Sequence, residues 1–276
     1  MTVLVIGGTG TTGRLVTREL RERGCPNRVA SRNGTGDRVR FDWYDASTHR
    51  NALSGADAVY LVAPVGDPDP MPVMGPFLEL AARGGVRRVV LLSSSAIPAG
   101  GPGLGAAHAR LGELFAEWAV LRPSWFMENF TGHHPHARSA RDHGEIVSAT
   151  GDGRVAFVAA EDIAEVAVSA LLDPTPHNTD HVITGPECLS YDDVAATLSE
   201  VTSRPVRHRR VSVIELAGRL ADAGVPSEFA TVLAAMDAAI ADGAEDRTTT
   251  VVRDLTGRPP RPFREVVSAA SGPNGP

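Results

Sequence analysis

The feature that most constrains this chain is its opening, Val3-Leu4-Val5-Ile6-Gly7-Gly8-Thr9-Gly10-Thr11-Thr12-Gly13-Arg14-Leu15-Val16. A β-branched apolar run stops at a cluster of glycines. A helical pattern begins at once, with Leu15, Val16 and Leu20 on one face and Arg14, Arg18, Glu19 and Arg21 on the other. Gly8-x-Gly10-x-x-Gly13 satisfies G-x-G-x-x-G, and Gly7, Gly10 and Gly13 also give G-x-x-G-x-x-G. In such a corner one glycine makes the turn, one lets the backbone approach a pyrophosphate, and the last lets helix pack on strand. The free N–H groups and positive end of the helix then face an anion, and Thr11 and Thr12 add hydroxyl donors there. Strand, glycine turn and helix together predict a dinucleotide-binding corner.

The chain continues as alternating strands and helices. Arg28–Ser31, Val39–Phe41, Ala58–Val62, Arg88–Leu92 and Trp118–Arg122 read as strands, with helices between them. This alternation predicts an α/β fold, a doubly wound parallel sheet of Rossmann type with its site at the carboxyl ends of the strands. Arg32 lies nineteen residues beyond Gly13, near the place where an acidic residue would hold a ribose 2′-hydroxyl. No Asp or Glu stands there. Ser31 and Arg32 offer a hydroxyl and a guanidinium, which suit a 2′-phosphate and favour NADP(H) over NAD(H). Asp42 at the next strand end can accept from an adenine amino group, and Trp43 can flank the ring. The small residues at Ala63-Pro64 would let a dinucleotide pass over the sheet edge.

Beyond residue 130 the pattern turns mainly helical. Glu161 to Leu172 and Ser190 to about Val201 read as capped helices, the second with Ser190 and Asp193 in capping-box spacing. His181–Thr184 and Val206–Val211 read as short strands, followed by helical stretches at 212–223 and 226–242. The expected division is therefore a dinucleotide-binding core at 1–130, a segment at 131–270 that returns to the sheet and forms a smaller substrate lobe, and a disordered tail at 271–276. The run His133-His134-Pro135-His136 reads as a solvated loop, because neighbouring positions rarely converge on one ion and no second ligand group follows; no metal is expected.

Composition narrows the partners. A net charge of −6, with no basic block interleaved with aromatics, argues against a nucleic-acid surface. No apolar run is long enough to span a bilayer, and the first residues already form a core strand, so no signal peptide is expected. Cys25 and Cys188 lie far apart without metal spacing and read as two unpaired thiols in a reducing cytoplasm. The expectation is a cytoplasmic monomer or homodimer acting on a small molecule.

Taken together, the glycine corner, Ser31-Arg32, Leu121-Arg122-Pro123, Phe126-Met127-Glu128-Asn129-Phe130, Glu161-Asp162-Ile163-Ala164 and Thr184-Gly185-Pro186-Glu187 resemble the NmrA-like atypical short-chain dehydrogenase/reductases. Within that group the chain is most similar to the ergot-alkaloid type of NADPH-dependent iminium reductase and to related quinone oxidoreductases. The resemblance implies cofactor contacts at Gly7, Gly10, Thr11, Thr12, Gly13, Ser31, Arg32, Asp42, Trp43, Ala63, Pro64, Ser93, Pro123, Ser124 and Trp125. It implies a substrate pocket formed by Phe126, Met127, Glu128 and Asn129.

One departure from the wider superfamily is informative. The expected Tyr-x-x-x-Lys is missing: Gly105 to Glu117 contains neither Tyr nor Lys. Ser95 stands closest to the usual serine, with Ser93 and Ser94 beside it, and His108 is the one candidate acid with a pKa near neutrality, the alternative being an ordinary surface histidine. Ketone reduction needs a hydride and a proton, whereas an iminium ion needs only the hydride. The sequence therefore predicts an NADPH-dependent reductase of a cyclic imine or iminium in secondary metabolism. An NAD(P)H quinone oxidoreductase and a non-catalytic NADP-sensing regulator are the alternatives.

Overall fold

A computed structural model describes residues 1–271. In chain order the elements are β1 Val3–Val5, α1 Gly13–Glu22, β2 Asn27–Ser31, β3 Val39–Arg40, α2 His49–Leu53, β4 Ala58–Val62, α3 Met71–Arg83, β5 Arg88–Leu92, α4 Leu104–Leu114 and β6 Glu117–Pro123. They continue with α5 Pro135–His143, β7 Glu145–Ser148, β8 Arg154–Val155, α6 Ala160–Leu172, β9 Thr179–Ile183, β10 Leu189–Ser190, α7 Tyr191–Thr202, β11 Arg207–Arg210, α8 Val213–Asp222, α9 Ser227–Ala241, α10 Val251–Thr256 and α11 Phe263–Ser271.

The chain forms two compact units. The first comprises Met1–Pro123, Ala160–Ile183 and Val251–Arg258; the second comprises Ser124–Ala159, Thr184–Thr250 and the residues from Pro259 onward. The sequence reading divides the chain after residue 130; the compact units divide after Pro123, and the first takes back two later segments. Ser271, read as the start of a disordered tail, is the last residue of α11, and the rest of that tail lies outside the described residues.

The first unit is a seven-stranded sheet in the order β3-β2-β1-β4-β5-β6-β9, parallel at every pairing. This is the doubly wound Rossmann arrangement that the alternation predicts, with the order reversing beside β1. Strand residues alternate between two buried faces. Leu4, Ile6, Val59, Leu61, Val89, Leu91 and Val120 meet Met74, Phe77 and Leu78 of α3 and Leu111 of α4. On the opposite face α1 and α6 pack together, and α6 also lies against β4, β5 and β6. Eleven of the thirteen α6 residues are buried, and after Glu165 its sequence is apolar but for Ser169.

Arg88, the first residue of β5, is only 6% exposed. Its Nε donates to Glu117 Oε2 at 2.7 Å, and its Nη1 donates to the carbonyls of Leu171 and Asp173, both at 2.8 Å. One buried guanidinium thus joins β5 to β6 and caps the carboxyl end of α6, where a cation suits the helix dipole. α10 returns against α6, and Ser169 Oγ donates to the Leu255 carbonyl.

The second unit has two small two-stranded sheets, β10 with β8 antiparallel and β11 with β7 parallel. Its core joins Met127, Phe130, Ile146, Phe157, Tyr191, Leu198, Ile240 and Phe263. The capping box forms at α7: Ser190 Oγ accepts the Asp193 N–H at 3.1 Å and Asp193 Oδ2 accepts the Ser190 N–H at 2.9 Å.

The histidine run is not a loop but the start of α5. His134 is its N-cap, accepting the His136 N–H through Nδ1 at 3.2 Å. The His136 ring stacks on Phe130 and meets Tyr191 edge-on, and burial pulls its pKa down to about 3. Pro135 at the first helical position favours this start, a signal that outweighs the polar run. Among the described residues no three His, Cys, Asp or Glu side chains are grouped to hold a metal ion, and no helix is long and apolar enough to cross a membrane. Cys25 and Cys188 are both free thiols.

Candidate functional site

The glycine corner is built as its spacing requires. Gly7 has φ +72°, and a Cβ there would stand 3.0 Å from Val62. A Cβ on Gly8 would stand 2.7 Å from Val29, and one on Gly13 would stand 2.2 Å from the Gly7 carbonyl oxygen. Only glycine permits this closeness between β1, the turn and α1. The Gly10 N–H closes the turn onto Gly7 O at 2.9 Å. The backbone N–H groups of Thr11 and Thr12 make no hydrogen bond among the described residues. They stand at the amino end of a ten-residue helix, so two unused donors and the positive end of the dipole meet at one place. Thr11 is exposed; Thr12 is buried, its Oγ1 accepting from the Tyr60 hydroxyl at 2.9 Å. The corner therefore fits a pyrophosphate.

The end of β2 carries the next group. Ser31 Oγ accepts the Gly34 N–H at 3.2 Å, shaping the turn that follows. Arg32 is exposed and forms no ion pair among the described residues, and Arg38 shares both properties. Arg18, Arg21, Arg23 and Arg40, by contrast, are all paired with carboxylates. Unpaired guanidinium groups beside the end of β2 are available to a phosphate.

Asp42 is half-buried at the end of β3, with Oδ1 accepting the Tyr44 N–H at 3.0 Å. Trp43 departs from the expectation that it flanks an adenine. Its ring is turned inward against Phe41 and Phe77, and its indole N–H donates to the Val62 carbonyl at 3.1 Å. An indole at the end of a strand needs both apolar cover and one acceptor, and the interior supplies both. The exposed aromatic here is Tyr44, whose hydroxyl donates to Asp67 Oδ2 at 2.8 Å and so links the loops after β3 and β4. Trp43 and Tyr44 lie in the turn after β3, bracketed by the Asp42–Asp45 bridge, so strand alternation gives no guide to their directions. Ala63 and Pro64 are half-buried beyond β4.

After β5, Ser93 and Ser95 are 9% and 5% exposed, and the Ser93 hydroxyl has no partner. Arg122 holds this segment: its guanidinium donates to the Ser95 carbonyl at 3.0 Å and to Asp180 Oδ2 at 2.7 Å. The Ser95 N–H in turn donates to the Pro123 carbonyl at 2.9 Å. Leu-Arg-Pro marks this clamp in the sequence, although its structural use is not readable there.

His108 is neither a surface histidine nor a ready acid. It lies on the buried face of α4, 6% exposed, with its ring 6.0 Å from that of Trp118 and Nδ1 unpartnered. Burial pulls its pKa down, which favours the neutral imidazole over the imidazolium.

The aromatic segment after β6 belongs to the second unit. Ser124 is buried and donates to Glu245 Oε2 at 3.3 Å. Trp125, Phe126, Glu128 and Asn129 are half-buried, whereas Met127 is wholly buried in the core with Phe130 and Phe157. Met127 is thus a packing residue and not part of a pocket lining. In a short 3-10 turn, Met127–Phe130, every third residue shares a face, so Met127 and Phe130 point inward together.

With this geometry in view, comparison with known proteins gives consistent relatives. The NmrA-like family model matches residues 115–256, and an NAD(P)H-binding model matches residues 7–174. An uncharacterized oxidoreductase, YesF, of Bacillus subtilis is 42% identical over 271 residues, covering 97% of this chain and 94% of that protein. Agroclavine dehydrogenase of Claviceps fusiformis is 42% identical over 280 residues, covering 97% and 96%. Among solved structures, the NADPH-dependent quinone oxidoreductase QOR2 of Escherichia coli, complexed with NADPH, shares the fold with a TM-score of 0.82 at 22% identity, covering 98% of this chain and all of that one.

Proposed function

For a chain that belongs to the NmrA-like family, we propose that the reaction is NADPH-dependent reduction of a cyclic imine or iminium. The broader activity, NAD(P)-dependent oxidoreduction, follows from the family and its full-length relatives. Two finer points make up the proposal: the choice of NADPH, and the class of acceptor.

The choice of NADPH rests on Arg32, exposed and unpaired at the end of β2 where no carboxylate stands. A guanidinium there rewards a 2′-phosphate, and an acidic residue would reward the bare hydroxyl. The unbonded Thr11 and Thr12 N–H groups would receive the pyrophosphate, and Asp42 the adenine.

The observation that carries the acceptor class is the state of α4. It has no Tyr and no Lys, and its one imidazole is buried with a depressed pKa. Nothing on that helix is suited to protonating a carbonyl oxygen. NADPH, when bound, supplies the hydride, and an acceptor that is already cationic needs no proton with it. Glu128, Trp125 and Phe126 are half-buried, and a carboxylate and aromatic rings are residue types that suit a cationic acceptor. Relatives at 36–42% identity bear the names agroclavine dehydrogenase and festuclavine synthase, which agrees with the resemblance to the ergot-alkaloid type of reductase.

The test is a titration with NADPH and NADH, followed by turnover on cyclic iminium salts and on ketones of similar shape. The wild type should bind NADPH more tightly and reduce the iminium salts but not the ketones. Arg32→Glu should weaken NADPH by about 10- to 100-fold, the worth of a lost charge-assisted contact plus a new repulsion, with NADH little changed. An unchanged ratio of the two affinities would remove Arg32 from the argument, and efficient ketone reduction would remove the acceptor class.

A further inference from the structure

Tyr60 lies in the middle of β4, wholly buried, beside β1 in the sheet. Its hydroxyl donates to Thr12 Oγ1 at 2.9 Å. Thr12 occupies the N-cap position of α1, yet its side chain makes no capping hydrogen bond, because its oxygen is turned toward Tyr60. A phenol in this position is unusual for a central strand whose other buried residues are Ala58, Val59 and Leu61. Burial raises its pKa far above the usual value, so the hydroxyl remains a donor at every working pH.

The turn it reaches contains four glycines between residues 7 and 13. Glycine gives the turn its shape, but it is also the residue with the least conformational stiffness of its own. A turn that must hold two N–H donors ready for an anion gains from a side-chain tie to a rigid strand, since ordering done in the free protein is not repeated on binding. Thr17 Oγ1 donates to the Gly13 carbonyl at 2.8 Å, but that bond lies within α1 and does not reach the sheet. The Tyr60 hydroxyl does reach it.

We propose that Tyr60 is a positioning residue for the cofactor: through Thr12 Oγ1 it anchors the glycine turn to β4 and holds the Thr11 and Thr12 N–H groups in place for the pyrophosphate. This rests on the cofactor reading given above.

The experiment measures dissociation constants for NADPH and for 2′-AMP, which keeps the adenosine and the 2′-phosphate but has no pyrophosphate. The proteins are the wild type, Tyr60→Phe, Thr12→Val, the double variant, and Thr12→Ser. NADPH should bind about three- to tenfold more weakly to Tyr60→Phe and to Thr12→Val, the range of one net hydrogen bond. 2′-AMP should bind all five alike. The double variant should lose no more than either single variant, and Thr12→Ser, which keeps the hydroxyl, should bind NADPH as the wild type does. NADPH affinity unchanged in Tyr60→Phe overturns the proposal. So does an equal loss for both ligands, which marks a general loosening, and so do additive losses, which mark two independent effects. A wild type that binds neither ligand refutes the cofactor reading itself, and the proposal with it.

Discussion

Gly13→Ala puts the reading of the corner at risk most directly. The added Cβ would stand 2.2 Å from the Gly7 oxygen, 2.7 Å from the Gly7 carbonyl carbon and 2.8 Å from the Gly8 Cα. Carbon atoms rest about 3.5–4 Å from their neighbours, so the turn and α1 must part by roughly 1 Å. All three neighbours are backbone, and none can rotate away. α1 is also fixed on its other side by Leu15, Val16 and Leu20, all at most 4% exposed. Forcing a carbon into such a site costs about 1–3 kcal/mol, a fall of about 2–5 °C in melting temperature for a chain of this size. The same displacement moves the Thr11 and Thr12 donors. Losing one charge-assisted hydrogen bond costs about 1.5–3 kcal/mol, or about 10- to 100-fold in NADPH affinity. A thermal melt and a titration of nicotinamide fluorescence read the two effects. A variant that melts with the wild type and binds NADPH within twofold would refute the claim that this closeness builds the site.

Three further outcomes follow from other positions. Gly218 lies inside α8 with no atom within 4 Å of a built Cβ, so Gly218→Ala should stabilise by about 0.5–1 kcal/mol; a lower melting temperature would contradict the packing described. Asp237 Oδ2 accepts the Ala149 N–H at 2.8 Å, and burial raises its pKa to about 6. Because the folded value lies above the unfolded one, its contribution is intact below about pH 4 and is lost as pH rises through about 6. Asp237→Asn keeps an acceptor without the charge, and should exceed the wild type by about 1–3 kcal/mol at pH 8 and match it at pH 4 in denaturant melts; equal stability at both would refute the assignment. His108→Ala should change iminium turnover by less than about threefold between pH 6 and 8, since this acceptor takes no proton and a working catalytic group contributes about 100-fold or more; a loss of that size would contradict a reduction that runs on hydride alone.

The parts of the fold that could be read from sequence are those where one local pattern has one physical solution. β1, the glycine turn and α1 are of this kind, and so is the Ser190–Asp193 cap. Val206–Val211 is legible and holds β11, whereas β7, β8 and β10 are two to four residues long, too short for alternation to register. Side-chain direction was the harder problem. Trp43, Met127 and His108 are apolar or amphipathic, and such residues suit a pocket or a core equally well until their neighbours are known. Trp43 is decided by Phe41 and Phe77, Met127 by Phe157, and His108 by the face of α4 that meets β6. That a later segment returns to the sheet is legible in the strand pattern at His181–Thr184; which elements return with it, α6 and α10, is not, because they lie far along the chain from the strands they join.

The buried Arg88 has a consequence for how the protein is made. Synthesis delivers β5 early, but the carbonyls that receive this guanidinium belong to residues 170–173 and come after a long stretch of the second unit. Until they leave the ribosome, the nascent sheet offers Arg88 the Glu117 carboxylate but none of these carbonyls, and one face has no α6 to cover it. Until α6 arrives the guanidinium stays in water beside Glu117, and its burial comes only with that helix. The second unit is in the same position, since it draws on residues up to α11. Each unit takes in a segment made after part of the other, so neither has all its residues until late in translation.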